Sequence, residues 1–342
     1  MSDIDIRIKG RTGRITLQRP KALNALTYDM AMAIYAALKD WADNDTVQLV
    51  VIDAEGDKAF CAGGDIQDLY DTGTAGDFAY GQKFWRDEYR LNARLAEYHK
   101  PIVSFMQGFV MGGGVGVGCH VSHRIVDDST QIAMPECGIG LVPDVGGSMI
   151  LAHAPGQLGA YLGLTAARMG PGDAIRAGFA DRHIARADWP QIIAELEDTG
   201  TTVALPDGTT DLPTPLADDQ ALIDACFTGT LEQIKAKLAE HDEDISAQAL
   251  KALGRNSPLA MAVALEMLKR LGPDADIREA LTLEYRFTAR AMEHGDFLEG
   301  IRAQIIDRDR NPQWKHQVVS EDEIEMMLSP LPDELDFEEE TA

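Results

Sequence analysis

Apolar and polar residues alternate along the first part of the chain, as they do in a strand with one buried face. The alternation is clear over residues 14–18, while residues 47–53 and 102–106 are apolar runs of strand length. Between the first two runs, Met30, Ile34 and Trp41 recur at helical spacing after Thr27, a residue suited to cap a helix. The pattern predicts an α/β arrangement here.

Beyond Gly156 the pattern changes to helices separated by glycines. Helices are predicted over 157–164, 171–177 and 189–197, and another begins at Ser257-Pro258, carries Met261, Leu265 and Leu268 on one side and ends at Gly272. Residues 198–215 are rich in Thr, Gly, Asp and Pro, which is typical of a linker or surface loop. The predicted organisation is a core over 1–200, a loop over 201–215, a helical region over 216–330 and a disordered acidic tail over 331–342.

Charge and composition narrow the function classes. The chain has 342 residues, 45% of them hydrophobic, and a net charge of −25. Such acidity argues against nucleic acid and anionic membrane surfaces as partners. No apolar run reaches the ~20 residues of a membrane span, and the N-terminus lacks the features of a secretory signal, so a cytoplasmic location is predicted.

The cysteines do not form a recognisable framework. Cys61, Cys119, Cys137 and Cys226 lack C-x-x-C spacing and are predicted to be buried, small apolar groups. Cys119 is followed by His120 and His123, but no second Cys/His pair lies at finger-like spacing, so no metal is assigned.

Two glycine turns are the first candidate for chemistry. Gly63-Gly64 and Gly112-Gly113-Gly114 each follow a predicted strand, and their peptide N–H groups could hold an oxyanion. The alternative is that these glycines only permit tight turns and close packing. The chain lacks G-x-G-x-x-G, P-loop and G-x-S-x-G motifs, which removes dehydrogenase, NTPase and serine-hydrolase readings.

Two carboxylates are the second candidate. Glu136 and Asp144 each follow a proline within an apolar segment. Burial there would raise their pKa values and make them an acid/base pair near neutral pH. The alternative is one solvent-facing acid and one helix cap.

The motifs together resemble the enoyl-CoA hydratase/isomerase (crotonase) superfamily. The resemblance rests on Asn24-Ala-Leu, Phe60-Cys-Ala-Gly-Gly-Asp65, Met111-Gly-Gly-Gly114 and Met134-Pro-Glu136. Later blocks resemble the 3-hydroxyisobutyryl-CoA hydrolases within it, namely Pro143-Asp-Val-Gly-Gly147, Glu284-Tyr-Arg286, Asp296-Phe-Leu-Glu-Gly-Ile-Arg302 and Asp307-Arg-Asp309. The resemblance extends from about Gly13 to Trp314.

This resemblance implies a spiral core of repeated ββα units with a helical C-terminal region. It implies that Gly64 and Gly113 form the oxyanion hole for a thioester carbonyl and that Glu136 and Asp144 are the catalytic carboxylates. CoA would enter as part of the substrate, without a separate cofactor. The residues implied to lie beside the substrate are Lys21, Ala22, Asn24, Ala62, Gly63, Asp65, Ile66 and Gly112. Lys21 is a candidate for the CoA phosphates, whereas Arg19 is predicted to be a solvated charge.

The implied activity is hydrolysis of a short-chain 3-hydroxyacyl-CoA, with 3-hydroxyisobutyryl-CoA of valine breakdown as the leading substrate. Glu136 would attack the thioester carbon or activate water, while Asp144 handles protons. An enoyl-CoA hydratase is the second hypothesis, but the position of the hydratases' first catalytic Glu is Gly116 here, and Asp144 stands where hydratases usually have glycine.

A non-catalytic acyl-CoA-binding protein is the third hypothesis. Tyr285, Arg286, Glu299 and Arg302 would either close over the acyl pocket or pair within packed helices, the latter being preferred. A homo-oligomer, a trimer or hexamer, is possible by resemblance.

Overall fold

The computed structural model describes residues 2–337, which form two compact units. The first unit contains the residues up to Asp65 together with 90–133 and 168–214, and the second contains 66–89, 134–167 and the residues from Pro215 on. These boundaries differ from the sequence-based division into a core, a loop and a helical region. Each unit draws on segments that are distant in the chain, which a reading of consecutive residues does not reveal.

Nine strands are found in the described residues, and all of them lie in the first unit. They are β1 (Ile4–Lys9), β2 (Thr12–Leu17), β3 (Leu49–Ala54), β4 (Ala59–Cys61), β5 (Ile102–Met106), β6 (Phe109–Met111), β7 (His123–Val126), β8 (Gln131–Ala133) and β9 (Arg182–His183). One sheet has the order β1-β2-β3-β5-β7-β9 and is parallel except for the β1–β2 hairpin. The second sheet has the order β4-β6-β8 and is parallel.

From β3 to β8, successive strands alternate between the two sheets. A long strand in the large sheet is followed by a short strand in the small sheet, which leads into a helix after β4 and after β6. This alternation is the expected ββα repeat, and the α/β class is confirmed.

The helices are numbered in chain order. They are α1 (Tyr28–Ala42), α2 (Gln67–Thr74), α3 (Phe78–Ala96), α4 (Gly113–Gly118), α5 (Gly147–His153), α6 (Leu158–Thr165), α7 (Pro171–Arg176), α8 (Trp189–Thr199), α9 (Pro215–Asp218), α10 (Gln220–Cys226), α11 (Leu231–Leu238), α12 (Asp244–Arg255), α13 (Pro258–Leu271), α14 (Ile277–Ala291), α15 (Phe297–Ile301) and α16 (Glu321–Leu328). No helix within residues 2–337 combines the length and the apolar character that a bilayer crossing requires.

Local sequence signals explain several helix ends. The Thr27 side chain accepts a hydrogen bond from the Met30 N–H at the start of α1, and the Ser257 side chain does the same for Ala260 at the start of α13. Helix α13 ends at Gly272, as predicted.

The buried face of helix α13 differs in part from the predicted one, because Leu265 and Leu268 are only half-buried. The face that packs inward is made by Ala260, Val263, Ala264 and Met267, whose small residues allow close approach to neighbouring helices.

Part of the stretch predicted to be a surface loop is buried in a core of the first unit. Alternating residues of β3, β5 and β7 pack against α8, and the rings of Phe105 and Trp189 lie 5.2 Å apart. Leu205, from the stretch predicted to be a linker or surface loop, is buried in the same core. The Thr209 N–H also donates to the His183 carbonyl, at 2.9 Å. Residues 201–214 therefore belong to the first unit.

Part of the acidic tail is ordered, contrary to expectation. Leu335 is buried, Asp333 pairs with Arg86, and Glu334 lies 2.9 Å from the Arg286 guanidinium. One apolar anchor and two arginines thus offset the repulsion within 331–337. Residues 338–342 lie outside the described part of the chain.

Candidate active site

Two glycine turns leave the same sheet of the first unit. Strands β4 and β6 are parallel neighbours, so Gly63-Gly64 and Gly112-Gly113 follow strand ends on the same edge of the small sheet. Gly63 has φ +119° and Gly112 has φ +48°, conformations that side chains other than glycine rarely adopt. A Cβ on Gly63 would lie 3.7 Å from the Met111 carbonyl oxygen, so the two turns are close together.

Two peptide N–H groups in these turns remain unused. Within the part of the chain that the structure describes, no backbone carbonyl accepts a hydrogen bond from the N–H of Gly64 or of Gly113. Gly113 is the first residue of α4, where an N–H has no partner inside the helix. Gly114 behaves differently, since its Cβ would lie 2.1 Å from the Cys61 carbonyl oxygen, so here close packing requires glycine. The glycines thus serve packing and leave two N–H groups without a backbone acceptor, while their binding of an oxyanion stays a prediction.

Asn24, predicted to lie beside the substrate, has a structural role. It is fully buried with φ +54°. Its side-chain oxygen accepts from the Arg19 N–H at 2.8 Å, and its amide donates to the carbonyls of Glu55 and Ala59, both at 2.9 Å. Any contact with a ligand would therefore come from the surrounding backbone.

The charged residues near this turn divide into exposed and paired groups. Lys21 and Ala22 are exposed in a single 3₁₀ turn, Pro20–Ala22. Arg19 was predicted to be a solvated charge, but its guanidinium donates to the Ala25 carbonyl at 2.7 Å and to the Asp65 carboxylate at 3.0 Å. These two hydrogen bonds hold the guanidinium against the protein, so the prediction of a solvated charge was wrong. Ala62, Asp65 and Ile66 are half-buried, and their contact with a substrate stays a prediction.

Glu136 lies in the second unit as the first residue of a short 3₁₀ turn, Glu136–Ile139, directly after Pro135. Its side chain is buried, and its Oε2 has no hydrogen-bond partner among residues 2–337. Burial, together with the nearby charges of Asp144 and Glu284, raises the pKa of Glu136 well above its ordinary value. The alternative prediction, that this acid faces solvent, is therefore wrong.

Asp144 is the second buried acid, with 4% of its surface exposed. The Tyr89 hydroxyl donates to its Oδ2 at 2.8 Å. Burial raises the pKa of Asp144 to about 7, although the bond from Tyr89 favours the charged form. Helix α5 is preceded by Gly146 without a side-chain cap, so the alternative reading of Asp144 as a helix cap is also wrong.

Two further buried acids belong to the same electrostatic group and were missed by the sequence analysis. Burial and the charge of Asp144 raise the pKa of Glu88 to about 8 and that of Glu284 to about 8. In the described part of the chain, the Oε1 of Glu88 has no hydrogen-bond partner, whereas Glu284 accepts hydrogen bonds from Gly146 and Ser148. We call Glu88, Glu136, Asp144 and Glu284 the acid cluster.

A sequence signal for both missed acids exists. Glu88 falls on the buried side of α3 with Trp85 and Asn92, at spacings of three and four residues. Glu284 falls on the buried stripe of α14 with Leu281 and Thr288, at the same spacings. An acid on an apolar helical face is expensive to bury, and buried ionisable groups concentrate at functional sites.

The acid cluster has an unusual composition. Within residues 2–337, no Lys or Arg is found among the hydrogen-bond or charge partners of its members. Because like charges cannot all be carried in a buried site, some members hold protons near neutral pH. The arrangement can therefore both accept and donate protons.

The remaining candidates pack structurally. Tyr285 is buried and meets the Tyr89 ring edge-on, with centroids 6.4 Å apart. Arg302 donates a hydrogen bond to Glu299 at 2.8 Å, as predicted by the preferred alternative of pairing within packed helices.

All the cysteines are free and buried, which confirms the prediction that they are small apolar groups. In the described residues, no group of three or more His, Cys, Asp or Glu side chains is arranged to hold a metal ion.

Comparison with known proteins agrees with the family and fold that the motifs predict. The family model described as enoyl-CoA hydratase/isomerase matches residues 12–329. The chain is 36% identical to a mitochondrial 3-hydroxyisobutyryl-CoA hydrolase of Danio rerio, over 96% of this chain and 89% of the relative. It is 36% identical to the Homo sapiens protein of that name, over 90% of this chain and 82% of the relative.

Two solved structures match almost the whole chain. The crystal structure of an enoyl-CoA hydratase from Rhodobacter sphaeroides is 59% identical, with a TM-score of 0.96, and the match covers 98% of this chain and 100% of that one. A carnitinyl-CoA dehydratase from Mycobacterium thermoresistibile is 39% identical, with a TM-score of 0.94, over 99% of this chain and 100% of that one.

Proposed function

We propose a hydrolytic function for this chain, which belongs to the enoyl-CoA hydratase/isomerase (crotonase) family. The proposed reaction is cleavage of a short-chain 3-hydroxyacyl-CoA thioester, with 3-hydroxyisobutyryl-CoA as the substrate. The observation that carries the proposal is the buried Glu136, which has a free carboxyl oxygen and the charge of Asp144 beside it. Relatives named as hydrolases of this thioester, matched over nine-tenths or more of the chain, supply the substrate class.

The proposed roles follow from what thioester hydrolysis needs. The peptide N–H groups of Gly64 and Gly113 are assigned to the carbonyl oxygen, where each such donor typically supplies about 3 kcal/mol of transition-state stabilisation. Glu136 is assigned to the carbonyl carbon, and Asp144 to proton transfer. The unused state of both N–H groups supports the first assignment.

Two routes satisfy the bond and proton balance. In the first, the Glu136 carboxylate bonds to the acyl carbon, the C–S bond breaks, and the CoA thiolate takes a proton from Asp144. Water then cleaves the resulting anhydride and returns its proton to Asp144. In the second, Glu136 removes a proton from water and the hydroxide adds to the carbonyl carbon. The C–S bond then breaks, and the CoA thiolate takes from Asp144 a proton that Glu136 replaces.

The two routes differ in the fate of oxygen. Single turnover in ¹⁸O-labelled water places the label in the Glu136 side chain if water attacks the anhydride at the enzyme's carboxyl carbon. Trapping Glu136 as an acyl adduct also favours direct attack. Neither the adduct nor the label is expected if Glu136 acts only as a base.

Either route requires Glu136 without its proton. Because burial and nearby acids raise its pKa, turnover is expected to increase as the pH rises through that raised pKa. Asp144, with a pKa of about 7, is matched to exchange protons in that range.

Glu88 offers a reason for a 3-hydroxyl group on the substrate. Its Oε1 is buried without a partner, a state that costs about 1–3 kcal/mol until a donor arrives. A substrate hydroxyl would satisfy this oxygen. Glu88→Leu is expected to lower kcat/KM for the 3-hydroxyacyl-CoA more than for the acyl-CoA that lacks the hydroxyl. An equal loss for both substrates would remove this assignment.

Enoyl-CoA hydration is the second candidate function, favoured by the name of the 59% identical structure. Hydration by the superfamily's mechanism uses two glutamates. The position of the first is Gly116 here, which has no side chain to carry a proton. This substitution favours hydrolysis over hydration.

The test uses 3-hydroxyisobutyryl-CoA and crotonyl-CoA in parallel, following release of free thiol and loss of the enoyl absorbance. Thiol release from the hydroxyacyl ester, with no change in the enoyl ester, is the expected result. Enoyl loss alone would replace hydrolysis by hydration. Binding of both esters without either signal would leave a non-catalytic acyl-CoA-binding protein.

The CoA-binding residues, the cellular location and the oligomeric state are also proposals. The CoA moiety is proposed to lie along Lys21, Ala22, Ala62, Asp65 and Ile66, with Gly63 and Gly112 shaping the turns. A cytoplasmic location and a trimer or hexamer remain predictions.

A further inference from the structure

The turn that follows Asp144 has a strained backbone. Val145 has φ +54°, and Gly146 has φ +78°. A β-branched residue is rare in this left-handed region, because its side chain crowds the backbone there. Such a turn persists only when its surroundings hold it in place.

Glu284, at the middle of α14, holds this turn directly. Its Oε2 accepts a hydrogen bond from the Gly146 N–H at 2.8 Å, and its Oε1 accepts one from the Ser148 N–H at 3.2 Å. The Ser148 hydroxyl also donates to Oε1. Glu284 is fully buried, so water cannot replace these bonds.

The same helix also contacts the other support of Asp144. Tyr285 packs edge-on against the Tyr89 ring, and the Tyr89 hydroxyl lies 3.4 Å from Thr288 Oγ1. That hydroxyl donates to the Asp144 carboxylate. Helix α14 therefore contacts both the backbone after Asp144 and the side chain that binds its carboxyl group.

We infer that Glu284 is a positioning residue for Asp144: by clamping Gly146 and Ser148 it fixes the left-handed turn and keeps the Asp144 carboxylate on the Tyr89 hydroxyl. The inference rests on the proposed function of Asp144. Glu284 itself touches no reacting atom in this assignment. A merely structural role, capping the short helix α5, would affect stability alone.

Two substitutions separate clamping from charge. Glu284→Gln and Glu284→Ala both remove the ionisable group, but only glutamine keeps an amide oxygen that can accept from Gly146 or Ser148. The difference between these variants therefore reports the clamp. Glu293→Gln, an exposed position just beyond the same helix, is the control for removing an acid.

The first readout is kinetic. Glu284→Ala is expected to lower kcat about tenfold more than Glu284→Gln does, with KM within about twofold, because the clamp acts on a group of the transition state. Glu293→Gln is expected to match the wild type. Equal kcat values in two folded Glu284 variants would overturn the inference.

The second readout needs no turnover. In protein labelled with ¹³Cγ-aspartate, the Asp144 signal is identified by its loss in Asp144→Asn and followed against pH. The Asp144 midpoint is expected to be higher in Glu284→Ala than in Glu284→Gln, because a displaced carboxylate loses the Tyr89 bond that favours its charged form. Identical midpoints would contradict positioning. A wild type that releases no thiol would defeat the proposed function, while this titration would still decide whether Glu284 positions Asp144.

Ser148→Ala keeps the test decisive if Glu284→Ala does not fold. It removes one of the donors to Glu284 and leaves both backbone donors in place. A loss of about threefold in kcat and a raised Asp144 midpoint are expected. An unchanged kcat and midpoint would overturn the clamp.

Discussion

Buried acids occur in both units of the molecule, but in opposite electrostatic settings. In the first unit, Glu197 and Asp53 both pair with Arg14, and Lys9 lies 2.8 Å from Glu197. Although burial opposes it, the hydrogen bond from Lys9 and the charge of Arg14 lower the pKa of Glu197. In the second unit, burial raises the pKa values of all members of the acid cluster.

The difference shows that the charged partners of a buried carboxylate indicate whether it serves the fold or catalysis. An acid held by cations is fixed in its charged form and serves the fold. An acid surrounded by other acids keeps a proton that it can exchange near neutral pH, which suits catalysis. The comparison makes opposite predictions for isosteric amide substitutions in the two units.

The largest contrast is expected in turnover. Asp144→Asn should lower kcat for 3-hydroxyisobutyryl-CoA by about 10²–10⁴-fold, the usual range for a lost acid/base group. Asp53→Asn, which removes a paired acid, should leave kcat within about twofold once folding is confirmed. Steady-state thiol release at saturating substrate measures both. A comparable loss in the two variants would break the comparison.

The pH dependence of stability should also have opposite signs. Glu88 has a pKa of about 8 in the fold and about 4.3 in the unfolded chain, so between these values the folded protein binds more protons and its free energy of unfolding falls as the pH rises. Glu88→Gln should remove this loss and gain about 4 kcal/mol relative to the wild type between pH 4 and pH 8.

Glu197 is the matched opposite case. Its pKa is lowered in the fold, so its contribution to stability is present above the unfolded pKa and is lost as the pH falls. Urea unfolding of the wild type, Glu88→Gln and Glu197→Gln across pH 3.5–8.5 gives the contribution of each acid as the wild-type slope minus the variant slope. Slopes of the same sign would contradict the distinction between the units.

Removing the paired acid should cost stability at neutral pH. Glu197→Gln leaves the buried Arg14 with a weaker partner and should lower the free energy of unfolding by about 2 kcal/mol, with kcat unchanged. Chemical denaturation and thiol release on the same preparation measure the two effects. A variant as stable as the wild type, or one that folds but has lost its turnover, would show that the pairing is not structural.

The smallest effect is expected from a change in the pKa of Asp144. Tyr89→Phe removes the hydrogen bond that favours the charged form of Asp144, so the Asp144 pKa should rise above about 7. Turnover at pH 7 should fall about tenfold, with the pH profile shifted upward. Tyr98→Phe, which removes a bond to the Leu38 carbonyl in the first unit, is the control and should leave the profile in place.

The sequence predicted the elements whose signals are local. The strand over 102–106 and the helix after Thr27 depend on short apolar patterns and a cap, and both are confirmed. Glu136 and Asp144 were identified because proline and apolar neighbours mark them within one short stretch, and their burial is confirmed. Their catalytic roles stay proposals.

Residues supplied by distant helices were not predicted. Glu88, Tyr89 and Glu284 lie between 47 and 148 residues from Glu136 in the chain, and helical periodicity alone does not say which buried face meets which acid. The docking of 331–337 was missed for a similar reason. Composition showed its repulsion but not the arginines Arg86 and Arg286 that offset it.

The central claim is that the unpaired buried acids carry the chemistry. Glu136→Gln and Glu197→Gln, compared with the wild type for CoA thiol release from 3-hydroxyisobutyryl-CoA at pH 8, test it most directly. We predict full release by the wild type and by folded Glu197→Gln, and none above background by folded Glu136→Gln. Undiminished release by Glu136→Gln would contradict the account.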